Sequence, residues 1–283
     1  IRPDILFRPA YGRHAMRLAR LPSVVAGTVL DYLRSPRSSL LGALSGLGEA
    51  IPLSLLDNVQ FERSLAAAYS TGGRTNDFRD LSTDLRIVAV NLDTAELIAF
   101  GDWPTAHVPI SRAVQASAAL PVLFPPVEID GEYYIDGVAR RTLNASQALE
   151  AGVELLLCIN PIVPINLRTP GEGPPLRHSL VEYGLPAVLS QTFRTLVHSR
   201  MQTGFRDYQH SYPDVDLLLI EPEARDHSMF FTNIFSFRNR HDVCEHGYQS
   251  SRRFLLREAE RIAPVLAKHG LTLRLDILRD RQR

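Results

Sequence analysis

Short apolar runs alternate with longer amphipathic stretches along most of the chain. The runs 133–136, 153–160 and 215–222 predict strands, whereas 179–211 and 240–269 have the texture of long helices. The run "VELLLCIN" (153–160) is apolar on both faces, as expected of a strand that helices cover on both sides. Because buried strands and helices alternate, the pattern predicts an α/β fold with helices on both faces of a sheet.

The region before residue 130 adds a strand pair and further helices. "LRIVAVNLDTAELIAFGD" (85–102) has two apolar runs around "LDTAE", which predicts two strands joined by a turn. "VQFERSLAAAYS" (59–70) predicts a helix that "TGG" ends. "ISRAVQASAAL" (110–120) predicts a helix that ends at Pro121, and helical texture also covers 12–35.

Three shorter segments complete the predicted element order. Asn144 is expected to cap a helix that runs to Gly152. Residues 161–178 are rich in proline and glycine, which predicts an irregular connection long enough to be a functional loop. "LTLRLDIL" (271–278) fits a short strand.

Composition and charge exclude several classes of protein. The 283 residues include 31 Lys+Arg and 31 Asp+Glu, a formal net charge of zero, so we predict no nucleic-acid partner. Cys158 and Cys244 do not make a disulfide framework. No stretch reaches the roughly 18 uncharged apolar residues of a membrane span, and no signal peptide is apparent. We therefore predict a cytoplasmic protein.

Asp136 is the first candidate for chemistry. It ends the predicted strand 133–136, and Gly137, which permits a sharp turn, follows directly. Active sites of open α/β sheets collect at the carboxyl ends of strands, where an aspartate can act as a general base. Asp-Gly is also a common turn dipeptide, and a second one stands at 130–131, so the dipeptide alone favours an ordinary turn.

A longer pattern surrounds this dipeptide. In chain order it reads "AVQASAALPVLFPP" (113–126), "YYIDG" (133–137), "NASQALEAG" (144–152) and "ELLLCIN" (154–160). The series resembles the patatin-like phospholipase family, whose members share an alanine-rich helix, a Phe-Pro loop and a strand ending in Asp-Gly. The resemblance covers residues 50–160 well and 175–260 faintly.

The resemblance implies a lipid acyl hydrolase with a Ser–Asp dyad and neither metal nor cofactor. Asp136 corresponds to the family's base, followed by Gly137 and by Val138, which stands where the family has Gly or Ala. The implied fold is a three-layer α/β/α sandwich with a mainly parallel sheet. The implied substrate is an ester of a phospholipid, a lysophospholipid or a neutral lipid, with peripheral contact to a membrane as an open question.

The same resemblance implies a single patatin-like domain over residues 1–283. Its expected parts are a helical segment (1–50), a core with the catalytic aspartate (51–160), the Pro/Gly-rich loop (161–178) and C-terminal helices and strands (179–283).

The nucleophile is the difficulty, because the chain contains no Gly-x-Ser-x-Gly. Ser70 in "AYSTGG" has a glycine two residues after it, but Ala68 stands two residues before it. The residues before Ser70 predict a helix, whereas a nucleophile elbow needs a strand there, so Ser70 is a weak candidate. The chain begins at Ile1 rather than Met, and we expect the serine, the oxyanion loop and the N-terminal strands upstream of it or on a companion chain.

Two other functions compete with acyl hydrolysis. A non-catalytic patatin-like module that binds lipid or protein fits the absent serine motif. A nucleotide-binding regulator would need a glycine-rich phosphate loop, which the chain lacks. "HDVCEH" (241–246) spaces its histidines by five, whereas zinc-binding helices use three or four, so we predict no metal site. The apolar stretches 40–56 and 229–237 could line an acyl pocket or touch a bilayer, and we favour covering of the core.

Overall fold

A computed structural model of the chain describes residues 8–9, 54–140, 145–169, 179–227 and 240–280. The chain divides into two compact units, Ile1–Ala139 and Arg140–Arg283. The single domain over 1–283 stays a prediction. The predicted helix over 12–35, the cap at Asn144, the segment 229–237 and most of 40–56 lie outside the described residues.

The first unit is built on a four-stranded antiparallel sheet. A two-residue pair of strands, β1 (Arg8–Pro9) and β2 (Leu56–Asp57), stands apart from it. The sheet has the order β4-β3-β6-β5. Its strands are β3 (Ile87–Asn91), β4 (Leu97–Phe100), β5 (Val127–Ile129) and β6 (Glu132–Asp136).

The predicted strand pair around "LDTAE" is confirmed as the β3–β4 hairpin. Its turn is closed by Asn91, whose N–H donates to the Glu96 carbonyl at 2.9 Å. The Asn91 side-chain oxygen also accepts from the N–H groups of Asp93 and Thr94 at 3.0 and 3.1 Å. An asparagine that satisfies turn amides in this way lets the chain reverse within four residues.

The helices of the first unit are α1 (Val59–Tyr69) and α2 (Ile110–Ser117), with 3-10 turns at Phe78–Asp80 and Gly137–Ala139. α1 agrees with the predicted 59–70. α2 ends at Ser117, before the predicted Pro121. Its end tightens because the Ala119 N–H donates to the Ala116 carbonyl, and Leu120 precedes a proline, which disfavours helical dihedrals.

The core of this unit lies between α2 and the sheet. Ala113 and Ala116 of α2 and the following Ala119 are fully buried, and their small side chains allow the helix to approach the strands closely. Phe100 and Tyr134 fill the space below it, with ring centroids 5.3 Å apart and an interplanar angle of 71°. This edge-to-face arrangement is favourable for aromatic pairs.

Gly101, directly after β4, is fixed by backbone geometry. Its φ is +122°, and a Cβ there would lie 2.2 Å from the Leu85 carbonyl oxygen. A residue with a side chain would therefore need both a strained φ and a displaced backbone, so only glycine fits.

The second unit contains a parallel strand pair and most of the described helical residues. β7 (Leu155–Ile159) pairs in parallel with β8 (Asp216–Ile220). A 3-10 turn spans Leu180–Tyr183. The helices are α3 (Ser146–Glu150), α4 (Leu185–Ser211), α5 (Arg240–Arg257), α6 (Ala259–Lys268) and α7 (Leu275–Arg279).

One face of the parallel pair is packed and the other is partly open. Cys158 is buried with Leu149, and Leu156, Phe205 and Tyr208 pack against them. Leu157 and Ile159, on the alternate face of β7, are exposed. Helices were expected to cover both faces of 153–160, but the described helices pack on the Cys158 face only. In the described residues β7 pairs with β8 and with no other strand.

Two predictions for the C-terminal region differ from the structure. The single helix over 240–269 is divided into α5 and α6 at Glu258. The prediction of a short strand over 271–278 is wrong in its second half, because Leu275–Arg279 forms the helix α7. Arg274 and Asp276 bond at 2.9 Å across the start of α7, and the Leu278 N–H donates to the Arg274 carbonyl, so local bonds favour a helical turn here.

The chain is thus a mixed α/β protein, as predicted at the level of fold class. The larger described sheet is antiparallel because its strands are joined as hairpins, β3 to β4 and β5 to β6.

Candidate active site

Asp136 is the last residue of β6, one of the two inner strands of the four-stranded sheet. It lies opposite Ala89 of β3 in the strand register. Its N–H donates to the Ala119 carbonyl at 3.1 Å. The backbone of Asp136 is therefore tied both to the sheet and to the segment that follows α2.

The Asp136 carboxylate is half-buried and is oriented by the main chain. Its Oδ1 accepts from the Val138 N–H at 2.9 Å. Burial raises the pKa of Asp136 above its ordinary value, and the hydrogen bond from Val138 offsets part of that shift. Within the described part of the chain no cation pairs with the carboxylate, so it retains the proton affinity that a general base needs.

The raised pKa has a consequence for stability that can be measured. The folded state binds the Asp136 proton more tightly than the unfolded state does. The protonated carboxyl group therefore contributes to stability at low pH. That contribution is lost as pH rises through the folded-state pKa. We expect Asp136→Asn to become progressively more stable than the wild type over this pH range, because the amide is never charged.

The measurement is the difference in Tm between the two proteins from acidic to neutral pH. The Asn side chain can still accept the Val138 N–H, so the turn is kept in both. A difference that moves in favour of the wild type as pH rises would show that Asp136 is stabilised in its charged form, and would contradict the burial argument.

The two Asp-Gly dipeptides, identical in sequence, have different structures. Asp130 and Gly131 both have positive φ, 54° and 83°, and join β5 to β6 in a two-residue hairpin turn. Gly137 instead begins a 3-10 turn, and it is buried. Residues 130–131 therefore form an ordinary turn. Asp136, in contrast, is the last residue of an inner strand of the sheet.

Val138, the departure from the family pattern, contributes through its backbone. Its N–H holds the Asp136 carboxylate, and its side chain is half-buried. A larger side chain than Gly or Ala is compatible with this bond, because the bond does not involve the side chain.

Ser70 does not meet Asp136 in this structure. It caps the C-terminus of α1, it is exposed, and its Oγ donates to the Ala66 carbonyl at 2.8 Å. That bond is typical of a serine one turn along a helix. Among the described residues no hydrogen bond joins Ser70 to Asp136, and the elbow that a nucleophile needs is not formed here.

Sequence reasoning missed a buried polar network on α2. Ser111 is fully buried, donates to Glu62 Oε1 at 2.7 Å and accepts from the Asn76 side chain at 3.1 Å. One turn further, Gln115 donates to Asn58 Oδ1 at 2.9 Å. In the described part of the chain, Asn58 Nδ2 is the one buried side-chain polar atom without a hydrogen-bond partner. The sequence did offer one signal for this network, since Ser111 and Gln115 are spaced four apart and so lie on one side of an alanine-rich helix.

The second unit has a charged surface cleft of its own. It is lined in part by Glu223, Arg225 and Arg257, and Glu223 is bonded to both arginines, which lower its pKa. His246 of "HDVCEH" bonds Asp226 at 2.7 Å. In the described ranges no group of three or more His, Cys, Asp or Glu is arranged to hold a metal ion.

Within the described residues, no helix is both long enough and apolar enough to cross a membrane.

Residues 21–149 match the family model described as Patatin-like phospholipase. No curated protein matches the chain. The matched stretch contains Asp136, Gly137 and Val138, and it ends before β7. The resemblance found in the sequence is confirmed over residues 21–149, which match the model of that family.

Proposed function

We propose that this chain carries the base of a lipid acyl hydrolase, with Asp136 as the proton acceptor of a Ser–Asp dyad. The family match suggests lipid acyl hydrolysis as the activity. One observation supports the role of Asp136 above all: its half-buried carboxylate ends an inner strand inside the matched stretch and has a raised pKa. A carboxylate in that state accepts a proton more readily than an exposed one.

The geometry of the carboxylate suits this role. Oδ1 is bonded to the Val138 N–H, and within the described residues Oδ2 has no hydrogen-bond partner. Oδ2 is thus the oxygen that a serine hydroxyl would meet. In the proposed reaction the serine Oγ attacks the ester carbonyl carbon while its proton passes to Asp136.

The tetrahedral intermediate then collapses, and the C–O bond to the alcohol breaks as Asp136 returns the proton to that oxygen. Water attacks the acyl-serine in the second half, again giving a proton to Asp136, which passes it back to the serine as the acid leaves. The substrate would be an ester of a phospholipid, a lysophospholipid or a neutral lipid.

The serine is proposed to come from a segment preceding Ile1 or from a companion chain. The complete fold is proposed to be a three-layer α/β/α sandwich with a mainly parallel sheet. The β7–β8 pair supports this, because it is parallel and, among the described residues, one edge of β7 has no strand paired with it.

Labelling with a fluorophosphonate probe tests this function. A protein that includes the segment upstream of Ile1 should be labelled on one serine and should hydrolyse a short-chain ester. Residues 1–283 alone should do neither. Labelling of residues 1–283 that disappears in Ser70→Ala would instead make Ser70 the nucleophile and overturn the proposed source of the serine.

The alternative is a non-catalytic patatin-like module that binds lipid or protein. The observation that favours it is the absence of Gly-x-Ser-x-Gly from these residues. It becomes the better proposal if the longer protein is neither labelled nor active.

A further inference from the structure

Gln115, in the last turn of α2, is a buried amide that the proposed reaction does not use. Its Nε2 donates to the Asn58 carbonyl at 3.2 Å and to Asn58 Oδ1 at 2.9 Å. Its side-chain oxygen accepts from Arg112, which leaves the NH2 group for Asn58. A buried side chain with three hydrogen bonds is firmly fixed, because each lost bond would leave a buried polar group unpaired.

Asn58 is the residue at which α1 begins. Its carbonyl accepts from the Glu62 N–H at 3.1 Å, and Asn58 itself is buried. Three residues earlier, the Leu55 N–H donates to the Val122 carbonyl at 2.9 Å. Gln115 therefore fixes the start of α1 and, through it, the short segment that bonds the loop following α2.

The loop that this segment contacts is strained. Val122 has a φ of +74° and is 67% exposed. A β-branched residue is strongly disfavoured at such a φ, and the conformation persists only where surrounding contacts impose it. The Val122 side chain packs little, so main-chain bonds hold the loop in this form, among them those from the Leu55 and Leu56 N–H groups.

The strained loop begins next to Ala119, whose carbonyl accepts from the Asp136 N–H at 3.1 Å. The contacts thus form a continuous path from Gln115, through the start of α1 and the loop, to Asp136. We propose that Gln115 is a positioning residue for Asp136, because its bonds to Asn58 keep the strained loop and the Ala119 carbonyl in place. The inference rests on the proposed function for the role that it gives to Asp136.

Gln115→Met tests this in the chain of 283 residues. Methionine fills a similar volume but cannot donate to Asn58. We expect the Asp136 amide to exchange with solvent about tenfold or more faster, relative to the amides of β3, because the loop relaxes and withdraws the Ala119 carbonyl. Water should also reach the carboxylate more easily, so the pKa of Asp136, which burial raises, should fall toward its ordinary value. NMR measures both quantities without substrate.

Ser111→Ala is the matched control. Ser111 is fully buried on the same helix and also bonds α1, through Glu62 at 2.7 Å, but one turn further from Ala119. Its loss should lower the stability of the unit and leave the relative exchange and the pKa of Asp136 unchanged. Equal shifts in this control and in Gln115→Met would indicate general destabilisation and would overturn the positioning role. Unchanged values in a folded Gln115→Met would do the same.

A milder variant reports on the same contact if Gln115→Met does not fold. Asn58→Ala removes the bond to Oδ1 and keeps the bond to the carbonyl, so it should give a smaller shift in the same direction. No shift in the folded Asn58→Ala protein would contradict the path through the start of α1.

A second substitution tests the part that strain plays. Glycine adopts the φ of position 122 without steric cost, so Val122→Gly removes the tendency of the loop to relax. In the double variant Gln115→Met/Val122→Gly, exchange of the Asp136 amide should return toward the wild-type rate. Exchange as fast as in Gln115→Met alone would show that strain does not drive the movement, and would overturn the path through the loop.

Activity separates this inference from the proposed function. In the longer protein that includes the segment upstream of Ile1, Gln115→Met should lower kcat about ten- to a hundredfold with KM nearly unchanged, because the base is displaced and no substrate contact is lost. An unchanged kcat in an active protein would overturn the positioning role. An inactive wild-type protein would overturn the proposed function instead, and exchange of the Asp136 amide would still decide whether Gln115 fixes that residue.

Discussion

Asp136→Asn is expected to lower ester hydrolysis by the intact protein by about 10²- to 10⁴-fold. The asparagine oxygen can take the Val138 N–H in place of Asp136 Oδ1, so the turn after β6 should be preserved. The amide cannot accept the serine proton, so the chemical step loses its base. The loss should appear in kcat, because no substrate contact is removed.

Asp130→Asn is the matched control. Asp130 belongs to the other Asp-Gly dipeptide, at the β5–β6 turn, where it bonds His107 at the surface. Asparagine tolerates the positive φ of that position. The control should keep nearly wild-type activity. Near-normal kcat in Asp136→Asn, with the protein folded, would remove Asp136 from the dyad and assign the role of base to another residue.

Phe100→Ala is expected to reduce the free energy of unfolding of the first unit by about 3–5 kcal/mol. Phe100 is 1% exposed, its ring packs edge-to-face on Tyr134, and both lie in the core beneath α2. Truncation removes the buried ring and leaves a cavity between the helix and the sheet. A loss of this size is a large part of the stability of a small unit.

The measurement is urea unfolding followed by hydrogen exchange of the β3 and β6 amides, which reports on this unit alone. Trp103→Ala is the control, because Trp103 is 87% exposed only three residues away. It should change the free energy of unfolding by no more than about 0.5 kcal/mol. Similar effects of the two substitutions would show that Phe100 does not close the core.

Elements set by short-range pattern could be predicted from the sequence. The β3–β4 hairpin follows from two apolar runs around a polar turn, and α1 follows from an alanine-rich run stopped by glycines. The end of α2 could not be predicted, because Ala119 lies outside the helix and its carbonyl accepts a hydrogen bond from the Asp136 N–H, 17 residues later in the chain. Local sequence carries no information on that partner.

The candidate site was also predictable only where short-range pattern determines it. The position of Asp136 at a strand end follows from local pattern, and the family pattern was needed to separate it from the turn at Asp130. Its pairing opposite Ala89 and its raised pKa depend on tertiary packing. The open face of β7 was also beyond prediction, because an apolar sequence shows that a strand can be covered and not what covers it.

The contacts that orient Asp136 have a consequence for how the surrounding sequence can change. Two main-chain groups, the Ala119 carbonyl and the Val138 N–H, hold this residue in place. The segment that supplies the first is itself fastened by main-chain bonds, from the Leu55 N–H to Val122 and from the Leu56 N–H to Leu123, each 2.9 Å. Neither Ala119 nor Val138 uses its side chain in these bonds, so a substitution that keeps the backbone path leaves the carboxylate in place; at Ala119, which is fully buried, only a small side chain meets that condition. At position 138 proline alone lacks the N–H that the carboxylate requires, so proline should be the residue type that displaces the carboxylate most.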